Sequence, residues 1–423
     1  MSRLVVIGQG YVGLPMALRA AESGFSVVGL DNKAQVVDAL NSGRSHIGDI
    51  SNDELKAGLK AGYSASTDPS CVAEADVVVV CVPTPLSSDG GPDLAAVEGA
   101  ACVIGQHVKP NTLVVLESTT YPGTTEEVFA PLVLGNNFQV GIDIKIAFSP
   151  ERIDPGNQTY GVRNTPKVVG GLTPDCTRAA CAFYGRFVDE VVEAKSAKEA
   201  EMAKLLENTF RHVNIALVNE MVRFCDDLDI DLWDAIDCAD TKPFGYMAFR
   251  PGPGVGGHCI PVDPSYLSHR VRAQLGYAFR MVELAEEINT AAPLYVANRL
   301  WQALNQRKLS VNGARVLLIG VTYKPNVADC RETPANPLAE RLAAWGAELS
   351  YHDPFVPEWR VTTEAEVATL TSVRDVYGAA AAADIVVMLQ PHSIYDLSRL
   401  ADVSSMLLDT RGALDPSPTV HRL

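Results

Sequence analysis

The segment Leu4-Val5-Val6-Ile7-Gly8-Gln9-Gly10-Tyr11-Val12-Gly13 restricts the fold more than any other. Residues 4–8 read as a short apolar strand and residues 12–23 as a helix. The three glycines between them permit a tight turn and let backbone amides approach a ligand closely. A helix N-terminus follows directly, and its dipole favours an anion such as a pyrophosphate. The next strand, Ser26–Leu30, runs into Asp31. A carboxylate there is placed to bond ribose hydroxyls and to repel the extra phosphate of NADP. Gly8, Gly10, Tyr11, Val12, Gly13 and Asp31 are therefore expected to hold NAD.

The same alternation continues. Residues 75–82 (ADVVVVCV), 112–117 and 144–148 are apolar runs of the kind buried on both faces of a parallel sheet. Two loops follow such strands, Val82-Pro83-Thr84-Pro85 and Glu117-Ser118-Thr119-Thr120-Tyr121-Pro122-Gly123. Open α/β sheets bind ligands at strand C-termini, so Thr84 and Thr119 join the expected cofactor contacts. From 195 to about 240, Met202, Leu205, Leu206, Phe210, Val213, Leu217 and Met221 recur at helical spacing. No glycine or proline interrupts that stretch, which predicts a long helix; a second helical run covers 277–305. Farther on, RVLLIG at 315–320 resembles LVVIG at 4–8, and ADIVVML at 383–389 resembles 75–82. The expected architecture is α/β, with two Rossmann-like doubly wound domains, 1–194 and 306–423, joined by a central helical domain, 195–305.

The formal net charge of -16 argues against nucleic acid or an anionic membrane as the main partner. No apolar run reaches the roughly 18–20 residues that span a bilayer. The chain enters a strand without a basic leader, so a cytoplasmic location is expected. Nine cysteines are scattered without CxxC or zinc-type spacing, and no metal is expected.

One cysteine differs in setting. Arg250-Pro251-Gly252-Pro253-Gly254-Val255-Gly256-Gly257-His258-Cys259-Ile260-Pro261-Val262-Asp263 cannot form a helix interior. Such a loop exposes backbone amides, and Cys259 follows the glycine pair Gly256-Gly257, where its sulfur can meet a ligand. Cys259 is read as a nucleophile. Lys204 and Asn208 lie four apart on the long helix and share a face, so an ammonium and an amide could together stabilise an oxyanion.

These segments, in this order, resemble the UDP-glucose/GDP-mannose dehydrogenase family. The likeness runs through GQGYVGLP at 8–15, ESTTYPGTTEE at 117–127, SPERIDPGN at 149–157, EMAKLLENTFRHVNIALVNE at 201–220, GPGVGGHCIPVDP at 252–264 and GVTYKPNVADCRETP at 320–334. The resemblance implies oxidation of a sugar C6 hydroxyl to a carboxylate in two steps, each using one NAD, for polysaccharide or glycoconjugate synthesis. It implies Cys259 as the nucleophile, Lys204 and Asn208 as oxyanion partners, and Asp263 in a proton and water network with Lys204. Glu151 would act in thioester hydrolysis, with Thr119 holding the water. Tyr323, Lys324 and Arg411 would contact a UDP-sugar beside Gly256 and Gly257, and Arg331 the cofactor. Family dimers share their central helices, so a homodimer is expected, with Arg250 reaching the neighbouring site. Family loops for UDP-glucose and GDP-mannose usually carry a lysine just before the aspartate, where this chain has Val262, and a serine where it has His258. The form here is similar to the branch acting on UDP-N-acetylglucosamine or UDP-N-acetylmannosamine, with UDP-glucose as the alternative. A one-step hydroxyacid-type dehydrogenase needs no cysteine, and a non-catalytic sensor needs none of Cys259, Lys204, Asp263 and Glu151.

Overall fold

In the computed structural model the apolar segments of the first half pair into one eight-stranded sheet. Residues 2–423 are described, except 49, 88–89, 136, 155–156, 158, 258–259 and 363–366. The strands are β1 (Arg3–Ile7), β2 (Ser26–Leu30), β3 (Tyr63–Ser66), β4 (Val77–Val80), β5 (Leu113–Leu116), β6 (Lys145–Phe148), β7 (Lys167–Gly171) and β8 (Val191–Glu193). Their order is β3-β2-β1-β4-β5-β6-β7-β8. The first six are parallel; Val5, for example, pairs with Val28 on one side and Val78 on the other. β7 reverses direction against β6, pairing Phe148 with Gly170, and β8 runs parallel to β7.

Alternating side chains feed two cores. Leu4, Val6, Val27, Val79 and Val115 pack with Leu14, Ala17 and Leu18 of the helix Gly13–Glu22 on one face. Val5, Ile7, Val78, Val80 and Val114 pack with Ala100 and Ile104 of the helix Ala95–His107 on the other. Covering both faces is what makes β4 (VVVV) and β5 (LVVL) buried at every position.

The described chain forms two compact units, residues 1–207 with 265–277, and residues 208–264 with 278–423. The long helix is Ala197–Asp227, 31 residues. It stops short of 240 because Asp229 takes a left-handed conformation (φ 56°) and Asp231 caps a new helix, Leu232–Asp240. The Asp231 carboxylate accepts from the N–H groups of Trp233 and Asp234. The second run forms the helix Arg280–Gln306, with Pro293 inside it. Residues 249–257 and 260–262 carry no helix or strand, and the helix Asp263–Leu275 follows.

The second unit holds a five-stranded, wholly parallel sheet and a hairpin. The sheet comprises β9 (Arg315–Ile319), β10 (Glu348–His352), β13 (Ile385–Met388), β14 (Leu407–Asp409) and β15 (Val420–Arg422); β11 (Glu358–Thr362) and β12 (Val367–Thr371) form the hairpin. The sheet order is β10-β9-β13-β14-β15. The trio β10-β9-β13 repeats β2-β1-β4, so the likeness between RVLLIG and LVVIG reflects equivalent central strands. A largely parallel sheet and a wholly parallel one, with a helical region between them in sequence, give the α/β class expected. No described helix is long and apolar enough to cross a membrane.

Candidate active site

The glycine turn is built around close approaches. Gly8 has φ +91°, and a Cβ there would lie 2.5 Å from the Cys81 carbonyl oxygen. A Cβ at Gly13 would lie 1.9 Å from the Gly8 oxygen, whereas one at Gly10 would meet nothing within 4 Å. The turn is thus tight on its inner side and open at Gly10. The helix Gly13–Glu22 starts with no side-chain cap and no acid in its first turn, so its N–H groups suit an anion. Tyr11 is 41% exposed beside it. Asp31 Oδ2 accepts from the Gln9 N–H (3.0 Å) and Oδ1 from the Lys33 N–H (3.0 Å). Gln9, buried, donates to the Val6 carbonyl (2.8 Å) and accepts from the Tyr63 hydroxyl (2.8 Å). Neither Gln9 nor Tyr63 was marked by the motif, because its glycines are what carry the pattern. Thr84 Oγ1 donates to the Thr119 carbonyl at 2.8 Å, so the loops after β4 and β5 are joined as one wall. These residues fit a bound dinucleotide.

Deeper in the same unit lies a buried charge cluster. Lys167 Nζ stands 3.1 Å from Glu117 Oε2 and 3.3 Å from Glu151 Oε2. The Tyr184 hydroxyl donates to Glu117 Oε1. Glu151 Oε1 accepts from the N–H groups of Arg152 (2.8 Å) and Ile153 (2.5 Å). Burial pushes the Glu151 carboxyl up, but Lys167, the Ile153 N–H and Lys204 together hold it below the usual carboxylate range. For Glu117 burial outweighs Lys167, and its carboxyl is raised. Lys204 is only 8% exposed and is one of the charges that lower the Glu151 carboxyl. Lys167 and Tyr184 escaped the sequence analysis, and Glu117 entered it only as the first residue of its loop; a lysine opening the strand KVVGG was the available signal.

Glu201, four residues along in the same unit's share of the long helix from Ala197, secures the Thr119 loop. It accepts from the Gly123 N–H (2.6 Å), the Thr125 N–H (2.9 Å) and the Thr125 hydroxyl (2.6 Å).

In the second unit Asn208 Nδ2 donates to Asp263 Oδ2 at 2.5 Å, and both side chains are buried. The glycine-rich loop lies against the β9–β13 sheet. A Cβ at Gly252 would fall 2.6 Å from an Arg411 guanidinium nitrogen; at Gly256, 2.8 Å from Tyr323 Cβ; at Gly257 (φ +81°), 2.8 Å from the Tyr323 ring. The Gly257 N–H donates to the Arg331 carbonyl (3.1 Å). Only glycine lets this backbone sit so near Tyr323 and Arg411. Arg411 Nε donates to the Leu389 carbonyl (2.8 Å), and burial lowers its guanidinium to about 10. Lys324 lies in the same turn, its carbonyl accepting from Thr322 Oγ1 (2.9 Å). Arg331 pairs with Asp329 (2.6 Å), and Arg250 pairs with Asp237 at an exposed position. Cys259, with His258, lies outside the described residues.

Three family models match in order: the NAD binding domain of the UDP-glucose/GDP-mannose dehydrogenase family at residues 2–188, its central domain at 198–291 and its UDP binding domain at 317–416. A UDP-N-acetyl-D-mannosamine dehydrogenase of Yersinia pestis is 35% identical over 422 residues, covering 96% of this chain and 98% of that protein. An NDP-N-acetyl-D-galactosaminuronic acid dehydrogenase of Ralstonia nicotianae is 35% identical over 419 residues, covering 96% and 95%. The structure of a UDP-D-ManNAc dehydrogenase from Pyrococcus horikoshii superposes with a TM-score of 0.88 at 29% identity, covering 99% of this chain and 98% of that one. With a dinucleotide turn, a UDP binding domain and a match of this length, the chain belongs to the UDP-glucose/GDP-mannose dehydrogenase family and is an NAD-dependent nucleotide-sugar dehydrogenase.

Proposed function

We propose that the protein oxidises the C6 hydroxyl of UDP-N-acetylmannosamine to the uronate, removing four electrons. The observation that carries the four-electron reading is Glu151, a largely buried carboxylate 3.3 Å from the Lys167 ammonium and held by the Arg152 and Ile153 N–H groups. A one-step dehydrogenase needs a base for the alcohol proton but no second base for a hydrolytic water, whereas Asp263 and Glu151 here supply two separate carboxylates. The sugar is taken from the names of the relatives and from Val262 and His258 in the cysteine loop; UDP-N-acetylglucosamine and UDP-glucose are the alternatives.

NAD held at the Gly8–Gly13 turn would supply the hydride acceptor for each of two rounds. The C6 alcohol gives its proton to the water network of Asp263 and Lys204 and its hydride to the cofactor, and becomes an aldehyde. Lys204 and Asn208 stabilise the oxygen as its charge develops, and Asp263 orients Asn208 through the hydrogen bond between them. The Cys259 thiolate adds to the aldehyde carbon, because an aldehyde cannot give up a second hydride until a nucleophile has added. Loss of that hydride leaves a thioester. Water held by Thr119 then adds to the carbonyl carbon, Glu151 takes its proton, the C–S bond breaks, and thiol and carboxylate separate. Gly8, Gly10, Gly13, Asp31, Thr84 and Arg331 are assigned to the cofactor, and Gly256, Gly257, Tyr323, Lys324 and Arg411 to the nucleotide sugar. The functional division we adopt is 1–194 for cofactor, 195–305 for the helices and cysteine loop, and 306–423 for the UDP-sugar. We also infer a cytoplasmic homodimer formed through the central helices, with Arg250 near the neighbouring site.

The test is stoichiometry across a panel of UDP-sugars, read by NADH absorbance and acid formation. Two NADH and one carboxylate per UDP-N-acetylmannosamine are expected, with Cys259→Ser binding NAD but forming no acid. One NADH per sugar and a persistent aldehyde would refute the four-electron reading.

A further inference from the structure

The sharp reversal between β6 and β7 fixes more than sheet order. Phe148 pairs with Gly170 and Ala147 with Gly171. Continuing that antiparallel register three residues past the end of β6 sets position 151 opposite position 167. Lys167 is the first residue of β7, so the strand delivers its ammonium to the Glu151 carboxylate. The reversal is stitched on both sides: Ser149 Oγ donates to the Val168 carbonyl (2.8 Å), and an Arg152 guanidinium nitrogen to the Pro166 carbonyl (2.7 Å).

The ammonium is not shared with solvent. Side-chain exposure is 11% for Lys167, 12% for Glu151 and 0% for Glu117. A buried charge is tolerated when it is paired and hydrogen-bonded. Here Glu117, itself held by Tyr184, grips the ammonium from the other side. Burial alone would lower the Lys167 ammonium, but the two carboxylates raise it, so it stays charged. A carboxylate offers about four acceptor directions. The Arg152 and Ile153 N–H groups take Glu151 Oε1 and Lys167 takes one direction on Oε2, which leaves the other for a water.

We propose that Lys167 is a positioning residue, clamped by Glu117, that fixes the Glu151 carboxylate in place as the hydrolytic base. This rests on the role proposed above for Glu151. Lys167 acts only on the last step: the water's proton passes to Glu151, its oxygen bonds to the thioester carbon, and the C–S bond breaks. The charged and titratable groups around Glu151 are Lys167 from β7, Glu117 after β5, Cys81 after β4, Tyr184 from the helix Pro174–Tyr184, Lys204 from the long helix, and the adjoining Arg152, which pairs with Glu207 (2.8 Å). Removing Lys167 takes away an attraction that holds Glu151 low, so its carboxyl rises. Hydrolysis is then lost first at low pH, and the acid limb of its profile moves to higher pH.

The experiment uses the full chain, saturating NAD and UDP-N-acetyl-D-mannosamine, with rapid mixing to separate the NADH burst from acid release. Lys167→Met should leave the burst rate unchanged and slow acid release at pH 7 about tenfold, a part of the roughly 10²–10⁴-fold that a general base supplies. The acid limb should shift upward, and Lys167→Arg should restore most of the rate. Glu151→Gln should slow release further, and adding Lys167→Met to it should change nothing more. If Lys167→Met does not fold, Lys167→Met with Glu117→Gln removes one charge of each sign and is measured in the same way. The proposal is overturned if Glu151→Gln slows release while the Lys167 variants leave rate and pH profile unmoved. It is also overturned if they slow burst and release equally with no pH shift, the mark of a merely structural lysine. Fast release in Glu151→Gln would instead refute the base itself.

Discussion

Asp31 anchors the glycine turn, and the cofactor role proposed for it would use the same two oxygens. Its two oxygens accept the Gln9 and Lys33 N–H groups, which hold it at the end of β2 with lone pairs to spare. Replacing it removes both the anchor and the negative charge. Asp31→Ala is expected to raise the KM for NAD by about tenfold or more, in line with ~1.5–3 kcal/mol for a hydrogen bond to a charged group. The ratio of kcat/KM for NAD to that for NADP should fall at the same time. If the unaltered enzyme already prefers NADP, the role given to Asp31 is wrong. Gly29 belongs to the same small assembly: a Cβ there would fall 2.4 Å from the Gln9 side chain, so Gln9 is stored over a glycine. That dependence is invisible in a motif read one strand at a time.

At the scale of elements, the long central helix is the instructive case. Apolar periodicity continues from the helix Ala197–Asp227 into the helix Leu232–Asp240, and no glycine or proline divides them. The break comes from aspartates, whose short side chains bond nearby backbone and so compete with the helix. Asp231→Ala removes the acceptor of the Trp233 and Asp234 N–H groups. A loss of roughly 0.5–2 kcal/mol is expected, seen as a lower urea midpoint with an unchanged slope. An unchanged midpoint would show that Asp231 does not cap the helix to any useful degree. Three of the strands missed from sequence have an equally local explanation. β3 (YSAS) is not apolar, β8 is three residues long, and β7 ends in two glycines, so none carries a strand's usual signature. β7 nevertheless supplies Lys167.

For the whole molecule, the helix Ala197–Asp227 leaves apolar side chains on its surface at regular intervals. Phe210 is 46% exposed, Leu217 52% and Phe224 46%, each seven residues from the last and so on one face. An uncovered stripe of this kind marks an association surface. If a second copy covers it, Leu217→Glu should convert a dimer to a monomer in light scattering while NAD binding is retained. A wild-type chain that is monomeric at all concentrations, or a variant that stays dimeric, would remove the central helix from that role.

Sequence alone settled what depends on local backbone chemistry and on burial pattern. The turn at Gly8–Gly13, the apolar central strands of both sheets, the NAD binding domain and the glycine loop before Cys259 all follow from neighbours a few residues apart. What it left open were contacts made across strands and loops. Glu151 could be named from its motif, but its ammonium partner sits on an adjacent strand of reversed direction, and Glu117 and Tyr184 reach the same ammonium from other elements still. Pairings of that kind are set by register and packing, which periodicity does not record, and they decide the charge that each buried group can keep.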